Sequence, residues 1–206
     1  MPGWRQRVFL SHTSELREFP RRGSFVAAAQ AGAVRAEFIV SDMAYFAARD
    51  QEPAEYCRQA VQQADVYVGI IGFRYGSTVL DRPDTSYTEL EFETATDHGL
   101  PRLVFILDEQ SGLPLPAEQI RDIAHSSRQE AFRRRLQEAA GVTVVRVASP
   151  PELEARVYQA LLELTARTAP PRRRSRTDRE GRGVGIAFAG ADGAHRLTQS
   201  SIGRKC

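Results

Sequence analysis

The sequence predicts an α/β fold in which helices cover both faces of a parallel β-sheet. Strand-like and helix-like patterns alternate along residues 7–166, which is the order that βαβ crossovers produce. Residues 66–71 form a continuous apolar run with β-branched side chains, as expected for a strand buried on both faces. The chain of 206 residues is long enough to bury a core, and no stretch reaches the apolar length of a membrane span.

Each element is predicted from a local pattern. The five strands are predicted at residues 7–11, 36–40, 66–71, 102–107 and 143–147. The helices are predicted at residues 15–31, 52–63, from 87 onward, 129–140 and 151–166. Pro20 interrupts the first helical stretch, whereas Pro53 lies in the first turn of its helix, where proline is tolerated. No internal repeat is visible.

The most informative residue is Glu91, which falls on the core side of the helix that begins at Tyr87. Ser86 and Glu89 have the spacing of a capping box, which indicates where this helix starts. At about 100° per residue, Glu91 lies within a stripe formed by Tyr87, Leu90, Thr94 and Ala95. The remaining acids of the helix are predicted to face solvent: Glu89, Glu93 and Asp97.

Two interpretations of Glu91 are open from the residues alone. In the first, its stem packs on the sheet while the partly exposed carboxylate reaches a backbone N–H or Arg74. In the second it is functional, because desolvating an unpaired carboxylate is costly and usually requires a partner or a task. Such a carboxylate could stabilise an oxocarbenium-like transition state or attack an anomeric carbon, which is the chemistry of N-glycosidic bonds.

The loop at residues 72–77, Gly-Phe-Arg-Tyr-Gly-Ser, directly follows the buried strand. Its glycines permit unusual backbone angles and a close approach to a ligand. Arg74 could pair with a phosphate, and Tyr75 or Phe73 could stack on a base. Alternatively, the aromatic side chains simply cap the edge of the sheet. A P-loop is not predicted, because no Gly-Lys-Ser/Thr follows and the only lysine is Lys205.

Two further polar segments are expected at the same edge of the sheet. Residues 11–14, Ser-His-Thr-Ser, could cap the following helix or bind an anion, and residues 41–50 contain Asp42 and Asp50. Ligands of open α/β sheets bind outside the carboxyl ends of the strands. We therefore expect residues 11–14, 41–50 and 72–77 to converge. A Ser-His-Asp triad is not predicted, since the Gly-x-Ser-x-Gly elbow is absent.

Charge and composition exclude several classes of protein. Residues 170–206 carry nine Arg or Lys and three acids, so the rest of the chain is mildly acidic although the net charge is +2. This distribution argues against a dedicated nucleic-acid-binding domain and predicts a basic, disordered tail after a domain at residues 1–169. The two cysteines, Cys57 and Cys206, and the scattered histidines predict neither a disulfide framework nor a metal site. No signal-peptide pattern is visible, so the expected compartment is the cytoplasm.

Four segments within residues 6–107 resemble a bacterial family called domain of unknown function 4062. They are residues 8–11, residues 43–46 with Asp50 and Pro53, residues 64–77, and residues 86–92. That family is similar to TIR domains, so the resemblance implies a flavodoxin-like, three-layer fold with a five-stranded parallel sheet. Residues 108–169 fit the fold without a motif of their own.

The resemblance also implies a function. Some TIR domains cleave NAD through a glutamate four residues after an aromatic residue, and Tyr87 and Glu91 have that spacing, with Tyr in place of the usual Trp and no Cys after it. The resemblance therefore implies a signalling or defence module that hydrolyses NAD as its substrate, with Glu91 as the catalytic carboxylate and no cofactor. The nucleotide would be bound by Ser11, Ser14, Asp50, Arg74, Tyr75, Gly76, Ser77 and Tyr87.

Two other functions fit the same resemblance. Many TIR-like domains serve as non-enzymatic modules that self-associate or recruit a protein partner. Nucleoside deoxyribosyltransferases have a similar architecture and place a glutamate beside a nucleotide pocket, which implies glycosyl transfer through a Glu91 intermediate. Neither a membrane nor a specific nucleic acid is an expected partner.

Overall fold

A computed structural model describes residues 5–42, 52–138 and 141–168 of the chain. Its main sheet has five strands, which are β1 (Arg7–His12), β2 (Ile39–Asp42), β3 (Val66–Ile71), β6 (Arg102–Leu107) and β7 (Val144–Val147). Their order in the sheet is β2-β1-β3-β6-β7, and every neighbouring pair is parallel. The predicted five-stranded parallel sheet is confirmed, and its strand order is the flavodoxin-like one.

Helices cover both faces of this sheet, as predicted. They are α1 (Ser14–Glu18), α2 (Phe25–Arg35), α3 (Pro53–Gln62), α4 (Tyr87–Asp97), α5 (Ser126–Glu138) and α6 (Pro150–Thr168). Apolar residues of α2 and α6 pack against the side chains on one face of the sheet and form one core with them. Those of α3, α4 and α5 form a second core on the opposite face. The fold is therefore a three-layer sandwich with a separate core on each side of the sheet.

Two boundaries differ from the predicted ones near the N-terminus. The stretch predicted as one interrupted helix is two helices, and Ser24 caps the second by accepting a 3.1 Å hydrogen bond from the Ala27 N–H. The second strand begins at Ile39 rather than at residue 36, because α2 continues through Arg35. Glu37 then turns the chain with a φ of 66°.

A small antiparallel pair of strands, β4 (Thr78–Val79) and β5 (Arg82–Ser86), lies between β3 and α4. It was not predicted from the sequence, because β5 is polar and exposed over most of its length and has no alternating pattern. The pair connects the loop at residues 72–77 to the start of α4. It therefore fixes the path by which the chain reaches Glu91.

No helix in the described ranges is both long and apolar enough to cross a membrane. The predicted basic tail at residues 170–206 lies outside the described residues, as do residues 43–51.

Candidate active site

Glu91 lies in the second turn of α4, and its carboxylate is buried against the carboxyl ends of the central strands. The helix begins where predicted, because Ser86 Oγ accepts a 3.2 Å hydrogen bond from the Glu89 N–H. Glu91 is 3% exposed, which confirms its predicted place on the core side of the helix. The alternative of a partly exposed carboxylate near Arg74 is wrong.

Two neutral side chains contact the Glu91 carboxylate. The Ser11 hydroxyl, at the end of β1, donates a hydrogen bond to Oε2. The Cys57 thiol, on the buried side of α3, donates to Oε1 at 3.5 Å. Within the described part of the chain, no ion pair involves Glu91. The carboxylate is thus held by an O–H and an S–H rather than neutralised by a cation.

This environment changes the ionisation of Glu91. Burial raises its pKa to about 7, the hydrogen bonds from Ser11 and Cys57 oppose the rise, and the Asp42 carboxylate adds to it. Burial dominates because an ionised carboxylate loses its hydration and gains no counter-charge. Near neutral pH, Glu91 is therefore present both as a carboxylate and as a carboxylic acid.

Sequence reasoning missed two residues of this cluster, Cys57 and Tyr67. Burial raises the pKa of both groups, and the Glu91 carboxylate adds to each rise, which indicates that both lie close to it. Helical periodicity could have found Cys57, because Ala54, Cys57 and Val61 share one buried face of α3. The apolar run of β3 gave no signal that the Tyr67 hydroxyl lies near an acid.

A second polar cluster lies beside the first, at the ends of β1 and β2. Arg17 Nη2 is 2.7 Å from Asp42 Oδ2, whose side chain is almost fully buried. Gln30 Nε2 donates to the same oxygen at 2.9 Å. Arg17 Nη2 also lies 3.1 Å from His12 Nε2. Because arginine can only donate, Nε2 must accept, and the His12 proton resides on Nδ1, 3.0 Å from the Thr13 carbonyl.

Burial lowers the pKa of His12, in agreement with this neutral tautomer. The cluster is therefore an ion pair between the buried Asp42 carboxylate and the partly exposed Arg17 guanidinium, flanked by the neutral imidazole of His12. Asp42 is an acid that the sequence indicated only weakly, and it lies close enough to raise the pKa of Glu91.

The loop at residues 72–77 packs against the segment that follows β1. The Thr13 hydroxyl donates to Glu15 Oε1 at 2.6 Å, and that oxygen would lie 3.3 Å from a Cβ atom added to Gly72. Gly76 has a φ of +80°, and a Cβ atom there would lie 2.9 Å from Thr13 Cγ2. Both glycines therefore permit the close approach of these two segments.

Residues 11–14 and 72–77 thus lie together, as the topology predicts. Asp42, which belongs to the third predicted segment at residues 41–50, lies close to them. The predicted nucleotide contact Asp50 lies outside the described residues. Ser14 and Ser77 are exposed beside these loops, and Tyr87 is half-buried near Cys57. The predicted capping by residues 11–14 is not found, because no side chain caps α1 and the Thr13 hydroxyl donates to Glu15 instead.

The two aromatic side chains of the loop pack on opposite faces of the sheet. Phe73 belongs to the core shared with α2 and α6, whereas Tyr75 belongs to the core on the opposite face. Both are buried, as the edge-capping interpretation predicts, and the Tyr75 ring lies 5.8 Å from the ring of His125. Arg74 is exposed, and its Nη1 donates to Gln119 Oε1 at 3.1 Å. Of these three, only Arg74 faces solvent in this conformation.

Glu89 does not face solvent, in contrast to the prediction. Its carboxylate accepts a hydrogen bond from the Tyr75 hydroxyl and lies 2.6 Å from Arg135 Nη2. Burial raises the pKa of Tyr75 to about 12, and the hydrogen bond to Glu89 contributes. The helical phase that places Glu89 away from the sheet is right, but α5 covers that side of α4. The carboxylate of Glu89 therefore links α4 to the loop and to α5.

Within residues 5–42, 52–138 and 141–168, no group of three or more His, Cys, Asp or Glu side chains could hold a metal ion. The chemistry of the described cluster is that of one buried carboxylate with a pKa near neutrality, an adjacent hydroxyl and an adjacent thiol. Such a carboxylate can oppose developing positive charge when ionised, or donate a proton when neutral.

Two solved structures are similar to this chain. A CMP N-glycosidase of Clostridium botulinum, BcmB, is 13% identical with a TM-score of 0.46, over 75% of this chain and 99% of that chain. The structure of the RPS4 and RRS1 TIR domain heterodimer is 13% identical with a TM-score of 0.45, over 77% of this chain and 97% of that chain. No curated protein sequence matches this chain.

The family resemblance predicted from the four segments is confirmed. The family model described as Domain of unknown function (DUF4062) matches residues 7–162, which include all five strands of the sheet and the cluster around Glu91. The chain therefore belongs to the DUF4062 family.

Proposed function

We propose that this protein hydrolyses the bond between nicotinamide and ribose in NAD, with Glu91 as the catalytic carboxylate. One observation carries the proposal: Glu91 is buried at the carboxyl edge of the sheet, held by Ser11 and Cys57, and has no ion pair in the described part of the chain. A buried acid that serves only stability is normally paired with a cation. An unpaired buried carboxylate can stabilise positive charge that develops beside it during a reaction.

The reaction would proceed by departure of the base before or during the attack of water. The electron pair of the C–N bond leaves with nicotinamide, which changes from a cationic pyridinium to a neutral molecule and needs no proton. The ribose carbon becomes oxocarbenium-like, and the ionised Glu91 opposes this positive charge. Water then adds to that carbon and loses a proton to the carboxylate or to solvent, giving ADP-ribose.

The surrounding loops supply groups that could bind the dinucleotide. Arg74 is exposed and could pair with a phosphate, and Ser14 and Ser77 offer exposed hydroxyls in the segments at residues 11–14 and 72–77. Ser11 would orient Glu91 rather than bind the nucleotide, because its proton is already donated to the carboxylate. Tyr75 and Gly76 would shape the loop, while Asp50 and Tyr87 remain proposed contacts.

The proposal is tested by measuring nicotinamide released from NAD at high protein concentration. Wild-type protein is expected to turn over NAD, and Glu91→Gln is expected to reduce the rate on the order of 100-fold or more. Glu130→Gln is the matched control, since Glu130 is an exposed acid on α5. Equal turnover in wild type and Glu91→Gln would remove Glu91 from the mechanism.

The same assay separates the two alternative functions. If NAD is not turned over even at concentrations that promote assembly, the domain acts as a non-enzymatic module for self-association or a protein partner. If added free bases exchange into the product, and a glycosyl group becomes attached to Glu91, the protein is a transferase. Either result would replace NAD hydrolysis as the function.

A further inference from the structure

Tyr67 places a phenol hydroxyl in the interior of the protein, close enough to Glu91 for the carboxylate to raise the pKa of the phenol. The residue is 0% exposed. Its ring stacks on Phe9 with centroids 6.4 Å apart and meets Phe92 of α4 edge to face at 6.0 Å. A phenylalanine would fill the same space between β1, β3 and α4. Packing therefore accounts for an aromatic ring at position 67, but it does not account for the hydroxyl group.

The hydroxyl lies over Gly69, two residues further along β3. A Cβ atom added to Gly69 would lie 3.0 Å from Tyr67 Oη, so the glycine makes room for the end of the phenol. Gly69 is directly paired with Ser11 of β1 in the parallel register. Neighbouring strands are about 4.8 Å apart, which brings the Tyr67 hydroxyl to the level of Ser11.

No hydrogen-bond partner satisfies the Tyr67 hydroxyl in the described part of the chain. Leaving a buried hydroxyl unpaired is costly, so its retention beside an acid calls for an explanation. Ser11 offers a suitable acceptor, because its single proton is donated to Glu91 and its lone pairs remain available. Ser11 lies close enough to Tyr67 to affect the pKa of its phenol, although burial has the larger effect.

We propose that Tyr67 is a positioning residue for Glu91, acting through Ser11. A small movement of the phenol lets the Tyr67 O–H, which has no partner in the described residues, donate to Ser11 Oγ. The Ser11 O–H already donates to Glu91 Oε2, so that the three groups form one chain of hydrogen bonds. Donation from Tyr67 makes Ser11 a better donor and thereby stabilises the ionised carboxylate. The catalytic meaning of this arrangement rests on the proposed function, but the chain of hydrogen bonds does not.

Removing the Tyr67 hydroxyl should raise the pKa of Glu91. Among the described residues, the other ionisable groups that affect Glu91 are Asp42 from β2 and Cys57 from α3, and neither changes in Tyr67→Phe. The pKa is measured by carbon NMR of protein labelled at the glutamate carboxyl carbons, with the Glu91 signal assigned from Glu91→Gln. The expected shift in Tyr67→Phe is about half a unit upward.

Two further variants make the result specific. Tyr158→Phe removes a phenol hydroxyl from α6, on the opposite face of the sheet, and should leave the pKa of Glu91 unchanged. Ser11→Ala should raise that pKa by itself, and adding Tyr67→Phe to it should then have no effect. A rise of less than about 0.2 unit in Tyr67→Phe, or an equal rise with Ser11 already removed, would overturn the proposal.

The NMR titration needs no turnover, so it is independent of the proposed function. If NAD is hydrolysed, Tyr67→Phe should lose about half of its kcat/KM at pH 7, because the ionised fraction of Glu91 falls from about a half to about a quarter. That loss should disappear at pH 8.5. Absence of NAD turnover, with the NMR shift present, would reject the function and leave the role of Tyr67 intact.

Discussion

The raised pKa of Glu91 makes the folded protein sensitive to pH. The folded-state pKa is about 7, above the ordinary glutamate value of 4.5 that applies to the unfolded chain. The folded state therefore binds this proton more tightly, and stability falls as pH rises from about 4.5 through 7, by about 3 kcal/mol in total. Above that range the effect of this residue no longer changes with pH.

Glu91→Gln should remove this pH dependence, because the amide cannot ionise. We expect the variant to match wild type near pH 4 and to exceed it by about 3 kcal/mol at pH 8, measured by urea unfolding. Glu130→Gln, which replaces an exposed acid, should follow the wild-type curve. Parallel curves for wild type and Glu91→Gln across this pH range would show that the carboxylate is not desolvated in the folded protein.

At the scale of elements, the long and strongly patterned segments were predictable and the loops were not. The buried strand β3 was predicted with its observed bounds, because a short, continuous apolar run rich in β-branched residues favours a strand buried on both faces. The pair β4–β5 was missed, since the polar strand β5 makes its contacts with residues distant in sequence: Arg128 of α5 donates to the Pro83 carbonyl at 2.8 Å and pairs with Asp84 at 2.5 Å. Local sequence carries no signal of such contacts.

The packing of α2 on α6 depends on a glycine whose role could not be read from the sequence. A Cβ atom added to Gly32 would lie 2.6 Å from the backbone carbonyl oxygen of Glu154. Alanine is the better helix former by about 1 kcal/mol, so propensity alone predicts stabilisation. The clash with a backbone atom should outweigh it, because neither helix can move without disturbing the core beneath.

Gly32→Ala should therefore destabilise the protein, by about 1–3 kcal/mol in urea unfolding. Val34→Ala is the matched control, since Val34 lies in the same helix and is 64% exposed. That substitution should change stability by less than about 0.5 kcal/mol. A gain in stability for Gly32→Ala would mean that α2 and α6 are not packed as closely as described.

At the scale of the whole molecule, topology explains why the candidate site could be located before its contacts were known. Alternating strands and helices require parallel strands, and parallel strands bring their carboxyl ends to one edge. Residues 11–14, Asp42 and residues 72–77 do meet there. What topology cannot supply is the identity of the groups in contact, which is why Cys57 and Tyr67 were found only in the structure.

In the proposed reaction, an ionised Glu91 supports the cleavage of NAD. This claim is tested by the pH dependence of kcat/KM for nicotinamide release between pH 5.5 and 8.5. Because nicotinamide leaves without a proton, the reaction needs the carboxylate form, and the rate should rise with pH through an apparent pKa of about 7. A rate that is independent of pH, or that falls as Glu91 loses its proton, would contradict the claim.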